Sequence, residues 1–140
     1  MMLRLLVLAD APLCVSWIGN GSYYEGDDNI NYHLQWLDGA KSKHNLTIDY
    51  IGIWNERAPD YDWVIRFRRA LDKSAHKNIK IVGADTGWIC DDVAKNASLK
   101  AALGVLGAHY PVTGNAPGGR NKIPTSCAGL GLPLWTSEGT

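Results

Sequence analysis

Short runs of strand-forming residues recur along this chain at a near-constant interval, and that interval restricts the fold more than any other feature. The runs begin near positions 51, 79, 104 and 133, giving steps of 28, 25 and 29 residues. Parallel strands need crossovers of about a dozen residues or more, usually helical. The steps match consecutive β/α units of a (β/α)₈ barrel, about 31 residues each, and would equally fit a doubly wound sheet. No Gly-x-Gly-x-x-Gly turn follows any of the runs, so a dinucleotide site has no support.

The remaining chain fills in around these runs. Residues 3–9 read as a further buried strand, although Leu5-Leu6-Val7-Leu8-Ala9 followed by Ala9-Asp10-Ala11 also imitates a short signal sequence. The run is short for a signal sequence and fits a strand, so no clear signal peptide is expected. Residues 12–27 form a loop holding Trp17, Tyr23 and Tyr24. Residues 28–43 have helical period, with Ile30, Leu34, Leu37 and Lys41 on one side and Asp27 or Asp28 as cap. Residues 60–74 are the clearest helix, with Trp63, Val64, Phe67, Ala70 and Leu71 apolar and Arg66, Arg68, Arg69 and Lys73 on a solvated face. Residues 78–84 are a strand ending at Asp85, where a helix cap is the expected role. Residues 91–103 form one helix on Val93, Leu99, Ala102 and Leu103. Residues 104–109 are a strand, residues 113–131 a Gly-rich loop, and residues 133–138 the last strand.

Charge and composition narrow the partners. The 140 residues carry 14 Lys plus Arg and 14 Asp plus Glu, which points to neither nucleic acid nor an anionic membrane surface. No apolar run approaches the ~20 residues of a transmembrane helix. Cys14, Cys90 and Cys127 are an odd number without short spacing, which makes neither a disulfide framework nor a zinc site. His33, His44, His76 and His109 are too scattered for a metal centre, so neither metal nor cofactor is expected. Asn20, Asn45 and Asn96 head Asn-x-Ser/Thr triplets and are glycosylation candidates.

Two strand ends carry the chemistry. Tyr50-Ile51-Gly52-Ile53-Trp54-Asn55-Glu56-Arg57 closes an apolar strand on an amide and a carboxylate, and Leu134-Trp135-Thr136-Ser137-Glu138 closes another on a carboxylate. Alone, Asn55-Glu56 would pass for a helix cap and Glu138 for a terminal charge. Catalytic groups of a barrel sit at the C-terminal ends of its strands. A fold of that kind can bring together two Glu that lie 82 residues apart in sequence. Retaining glycoside hydrolysis needs two carboxyl groups about 5–5.5 Å apart. One must be protonated and one ionised, which requires environments that separate their pKa values.

Ile51-Gly52-Ile53-Trp54-Asn55-Glu56-Arg57, Gly107-Ala108-His109-Tyr110-Pro111 and Leu134-Trp135-Thr136-Ser137-Glu138, in this order, resemble the galactocerebrosidase (galactosylceramidase) family of retaining β-glycosidases. The likeness runs from about Trp17 to Glu138. It implies a partial (β/α)₈ (TIM) barrel comprising strands three to seven, with residues 1–140 as one incomplete barrel domain. It implies Glu56 as acid/base, Glu138 as nucleophile, and Asn55 on the sugar 2-hydroxyl. Trp17, His109 and Tyr110 join them as substrate-binding positions. Trp17 either stacks on a sugar or anchors its loop, and Tyr110 either holds the nucleophile's carboxylate or packs with His109 in the core. The implied reaction is hydrolysis of a β-galactosylceramide-type glycolipid with retention, in the lysosome, with a saposin as lipid-presenting partner. The chain departs from the family pattern where Pro12-Leu13-Cys14 precedes Trp17, and its Gly-rich stretch before Pro133 is long. By itself the chain is expected to be an inactive fragment. The rival readings are a relative acting on another β-linked sugar, and a non-catalytic sugar-binding or regulatory fragment.

Overall fold

A computed structural model describes residues 5–6, 26–53, 57–112 and 121–138 of the chain. The elements are β1 (Leu5–Leu6), α1 (Asp28–His44), β2 (Tyr50–Gly52), α2 (Tyr61–Asp72), β3 (Lys80–Gly83), α3 (Cys90–Lys95), α4 (Ala97–Ala102), β4 (Leu103–His109), β5 (Pro111–Val112), β6 (Asn121–Lys122) and β7 (Leu134–Glu138). Five of the strands form one parallel sheet in the order β1-β2-β3-β4-β7. That is the order of the chain, without the reversal that defines a doubly wound sheet.

Helix α2 forms because Trp63, Val64, Phe67 and Leu71 fall on one buried face, and because Asp60 accepts a 2.8 Å hydrogen bond from the Trp63 N–H. Helix α1 buries Ile30, His33, Leu37 and Ala40. It ends at Asn45, which takes the left-handed conformation (φ 49°) and donates its N–H to the Lys41 carbonyl at 3.0 Å. His33 joins the two helices, its ring edge-on to Trp63 at 5.6 Å and to Phe67 at 5.1 Å. Its Nδ1 is 2.7 Å from the Asn29 carbonyl.

These helices and the sheet share one core: Ile51, Ile53, Ile81, Leu103 and Leu106 pack with Trp63, Phe67, Leu71 and Leu99. Each such large side chain contributes about 1.5–3 kcal/mol by leaving water. The opposite face of the sheet carries Tyr50, Lys80 and Trp135. The Tyr50 and Trp135 rings lie 4.6 Å apart, and the Lys80 ammonium sits 5.7 Å from the Tyr50 ring centre.

Several expectations change. The helix expected over residues 91–103 is broken at Asn96, which is extended (φ −124°, ψ 96°) and accepts from the Leu99 N–H at 2.9 Å, so α3 and α4 are separate. The loop over 113–131 contains β6, paired in parallel with β5, and a 3₁₀ turn at Thr125–Cys127; residues 113–120 lie outside the described residues. Asp27 occupies the N-cap position of α1, but its carboxylate pairs with Arg66 at 2.5 Å instead of capping. Nor are the arginines of α2 merely solvated. Arg68 reaches the Ile79 and Lys77 carbonyls and pairs with Asp72, clasping the entry to β3.

The cysteines also depart from expectation. Cys90 and Cys127 form a disulfide, with Cα atoms 5.0 Å apart, tying the start of α3 to the 3₁₀ turn. Three scattered cysteines allow three pairings, and sequence spacing does not choose among them.

Candidate active site

Because β3, β4 and β7 are parallel, their C-terminal ends open on one edge of the sheet. That edge gathers Asp85 just beyond β3, His109 at the end of β4, Tyr110 after it, and Glu138 at the end of β7.

A register irregularity aims Glu138. Ala108 pairs with Thr136, but His109 pairs with Glu138, so Ser137 is an extra residue in β7. Under strict alternation Ser137 would stand opposite His109 and Glu138 would turn to the other face. The bulge brings Glu138 back beside His109. Gly107 makes room for it: a Cβ there would meet Val82 Cγ1 at 2.9 Å and Ser137 Cβ at 3.1 Å.

Two side chains bracket the Glu138 carboxylate. The Tyr110 hydroxyl donates to Oε1. His109 places Nδ1 3.5 Å from Oε2, and its Nε2 3.4 Å from Asp85 Oδ1. The backbone locks the group, since Tyr110 N–H donates to the Glu138 carbonyl at 2.8 Å and His109 N–H to the Asp85 carbonyl at 3.0 Å. Tyr110 holds this position at φ 48°, a left-handed conformation costing a side chain other than glycine about 1–2 kcal/mol. Such strain persists where surrounding contacts over-determine it, often at functional sites.

Burial separates the two carboxyl groups. The Glu138 side chain is 46% exposed, whereas that of Asp85 is 3% exposed. Burial pushes the Asp85 carboxyl above the ordinary carboxylate range. His109 pulls it down, as does the Ser137 hydroxyl, which faces it without closing a regular hydrogen bond, while the charge of Glu138 raises it further. Chemically, Glu138 is an accessible carboxylate oriented by a phenol and an imidazole, a group fit to attack carbon or accept a proton.

His109, Tyr110 and Glu138 are brought together, with His109 buried and the Tyr110 hydroxyl on the carboxylate. Trp17, Asn20, Asn55 and Glu56 lie outside the described residues, as does Cys14. Asn45 and Asn96 sit away from this edge, at the end of α1 and the start of α4. Asp85 is a correction. The next helix begins at Cys90 with Ile89 at its cap position, so Asp85 caps nothing and instead faces His109. Its signal in the sequence was the same as that of Glu56 and Glu138, a carboxylate directly after an apolar strand. Among the described residues no group of three His, Cys, Asp or Glu could hold a metal ion, and no helix is long and apolar enough to cross a membrane.

On comparison with known proteins, this parallel α/β chain with an oriented carboxylate at its strand ends falls in a glycosyl hydrolase family. The chain is a member of glycosyl hydrolase family 59, which it matches over residues 3–140. It is 43% identical to galactocerebrosidase of Danio rerio over 126 residues, 87% of this chain and 18% of that protein. Against galactocerebrosidase of Salmo salar the identity is 39% over 102 residues, 69% of this chain and 15% of the relative. Against that of Homo sapiens it is 34% over 127 residues, 87% of this chain and 17% of the relative. The chain thus spans less than a fifth of the length of these relatives.

Proposed function

We propose that the protein carrying these residues hydrolyses a β-galactosylceramide-type glycolipid with retention of configuration, Glu138 attacking the anomeric carbon and Glu56 donating the proton to the leaving oxygen. The observation that carries this reading is the Tyr110 hydroxyl on the Glu138 carboxylate, at the edge where β4 and β7 end. A hydroxyl donor stabilises the anion and fixes which oxygen faces the sugar. Family membership and the names of the relatives support the galactosyl lipid as substrate.

Glycosylation of Glu138 forms an Oε–C1 bond as the C1–O bond breaks, with Glu56 giving its proton to the departing oxygen. Water, deprotonated by Glu56, then releases the sugar. Asn55 serves the 2-hydroxyl, where a hydrogen bond that strengthens in the transition state accelerates reaction. Trp17 completes the sugar's surroundings, and His109, buried with its ring nitrogens toward Asp85 and Glu138, supports the site from behind the nucleophile.

The sheet reads as strands three to seven of a (β/α)₈ barrel, within one barrel domain. Two features support this: the strand order follows the chain, and Tyr50 touches Trp135 across two intervening strands. Adjacent strands are about 4.8 Å apart, so strands three places apart in a flat sheet stand about 14 Å apart. Rings that meet across that span fit a concave face. A lysosomal setting agrees with the Cys90–Cys127 bridge, since disulfides persist in oxidising compartments. Of the two described glycosylation candidates, Asn45 is exposed, whereas Asn96 is half-buried as the cap of α4. A saposin-type lipid-presenting partner would account for delivery of a membrane-bound substrate.

The test is stereochemical. Full-length protein carrying these residues, given an aryl β-galactoside and followed by NMR, should release galactose first as the β-anomer. An initial α-anomer would remove the retaining assignment, and no hydrolysis would remove the substrate class.

A further inference from the structure

Asp85 is a buried acid that the two-carboxylate mechanism does not use. Its side chain is 3% exposed, and an isolated buried charge is costly enough that buried carboxylates are normally paired. Its partner is His109, itself 4% exposed in its side chain, whose other nitrogen faces Glu138. The three groups form one line: Asp85 Oδ1, 3.4 Å to His109 Nε2, then His109 Nδ1, 3.5 Å to Glu138 Oε2. Among the described residues, the titratable groups facing His109 are Asp85, Tyr110 and Glu138.

We propose that Asp85 is a positioning residue for the nucleophile, holding His109 as an imidazolium with one N–H toward each carboxylate. This rests on the reading of Glu138 as nucleophile and adds a residue that acts through His109. The charge of His109 pulls the Asp85 carboxyl down against its burial; with both carboxyls ionised, a neutral imidazole, which has one N–H and one lone pair, would turn its lone pair to one of them. The imidazolium satisfies both. Its charge also favours ionised Glu138. That attraction is reduced by Asp85 behind it. When Glu138 becomes the glycosyl ester its charge is lost, and Asp85 remains as the counter-ion. His109 therefore stays protonated through the intermediate and faces the carboxylate again when water releases the sugar.

The experiment is the pH dependence of covalent trapping in the full-length protein. 2-Deoxy-2-fluoro-β-galactosyl fluoride is suitable because Glu138 Oε bonds to C1 while fluoride leaves with the bonding pair, and no acid is needed. The labelling rate therefore reads ionisation of the nucleophile. Asp85→Asn removes the counter-charge that keeps the buried His109 ring protonated; a neutral ring no longer favours ionised Glu138, so the acidic limb of that rate should move upward by about one pH unit, slowing labelling roughly tenfold below it. A folded Asp85→Asn protein whose limb stays in place would overturn the proposal, since a purely structural role changes stability and not the midpoint. If Asp85→Asn does not fold, wild-type protein with ¹⁵N-labelled histidine decides. Both His109 nitrogens should be protonated across the active pH range, and a neutral ring there would overturn it. Wild-type protein that is not labelled at all would instead refute the reading of Glu138.

Discussion

The rings of Tyr50 on β2 and Trp135 on β7 lie 4.6 Å apart, although β3 and β4 stand between their strands. This contact ties β7 to β2 and anchors β7 three residues before Glu138. Trp135→Ala in the full-length protein should cost roughly 2–3 kcal/mol, below the 3–5 of a fully buried tryptophan because the residue is half-buried. The denaturation midpoint in urea measures the loss. A variant with unchanged midpoint would show that the contact does not stabilise the sheet.

Tyr110→Phe removes the hydroxyl on Glu138 and leaves the ring. Hydrogen bonds to charged groups are worth about 1.5–3 kcal/mol. A tenfold to hundredfold fall in kcat is expected, with KM within about twofold, because the contact orients the attacking group more than it binds the sugar. Steady-state kinetics on an aryl β-galactoside reads both. A rise in KM alone would reassign Tyr110 to substrate binding.

His33 sets a pH dependence of stability. Burial lowers its pKa from 6.5 to about 4, against the smaller opposing effect of the Asn29 carbonyl. The folded state thus resists a proton that the unfolded chain accepts. Stability from this residue is complete above about pH 6.5 and declines as pH falls toward 4, where the loss approaches ~3 kcal/mol. Urea melts at pH 7, 5 and 4 should show this slope in the wild type and its absence in His33→Gln.

How far the sequence discloses this structure depends on whether the deciding contact is local. Helix α2 was legible because its apolar period and the Asp60 cap lie within one segment, and the strands because their spacing is regular. The bulge at Ser137 was not, since alternation along β7 alone turns Glu138 the wrong way; only pairing with β4 shows the extra residue. The left-handed Tyr110 was equally hidden, because a residue before proline ordinarily takes extended conformation. Asp85 reads as a cap from its own segment alone, because its partner, His109, arrives 24 residues later from the neighbouring strand.

The disulfide makes a separate prediction. Cys90 and Cys127 are 37 residues apart, and closing a loop of that size in the unfolded chain stabilises the fold by about 4 kcal/mol in the chain-entropy account. Replacing both with serine should lower stability by that order and leave the Glu138 edge intact. Guanidinium titration of the double variant, with kcat measured on the surviving folded protein, checks both halves.

The central claim is that Glu138 is the nucleophile, and mapping the trapped sugar tests it most directly. Full-length protein treated with 2-deoxy-2-fluoro-β-galactosyl fluoride, digested and sequenced by mass spectrometry, should carry one added sugar on the peptide ending in Leu134-Trp135-Thr136-Ser137-Glu138, on Glu138. Glu138→Gln should carry none. A label on Glu56, on Asp85 or on any other residue would contradict the account.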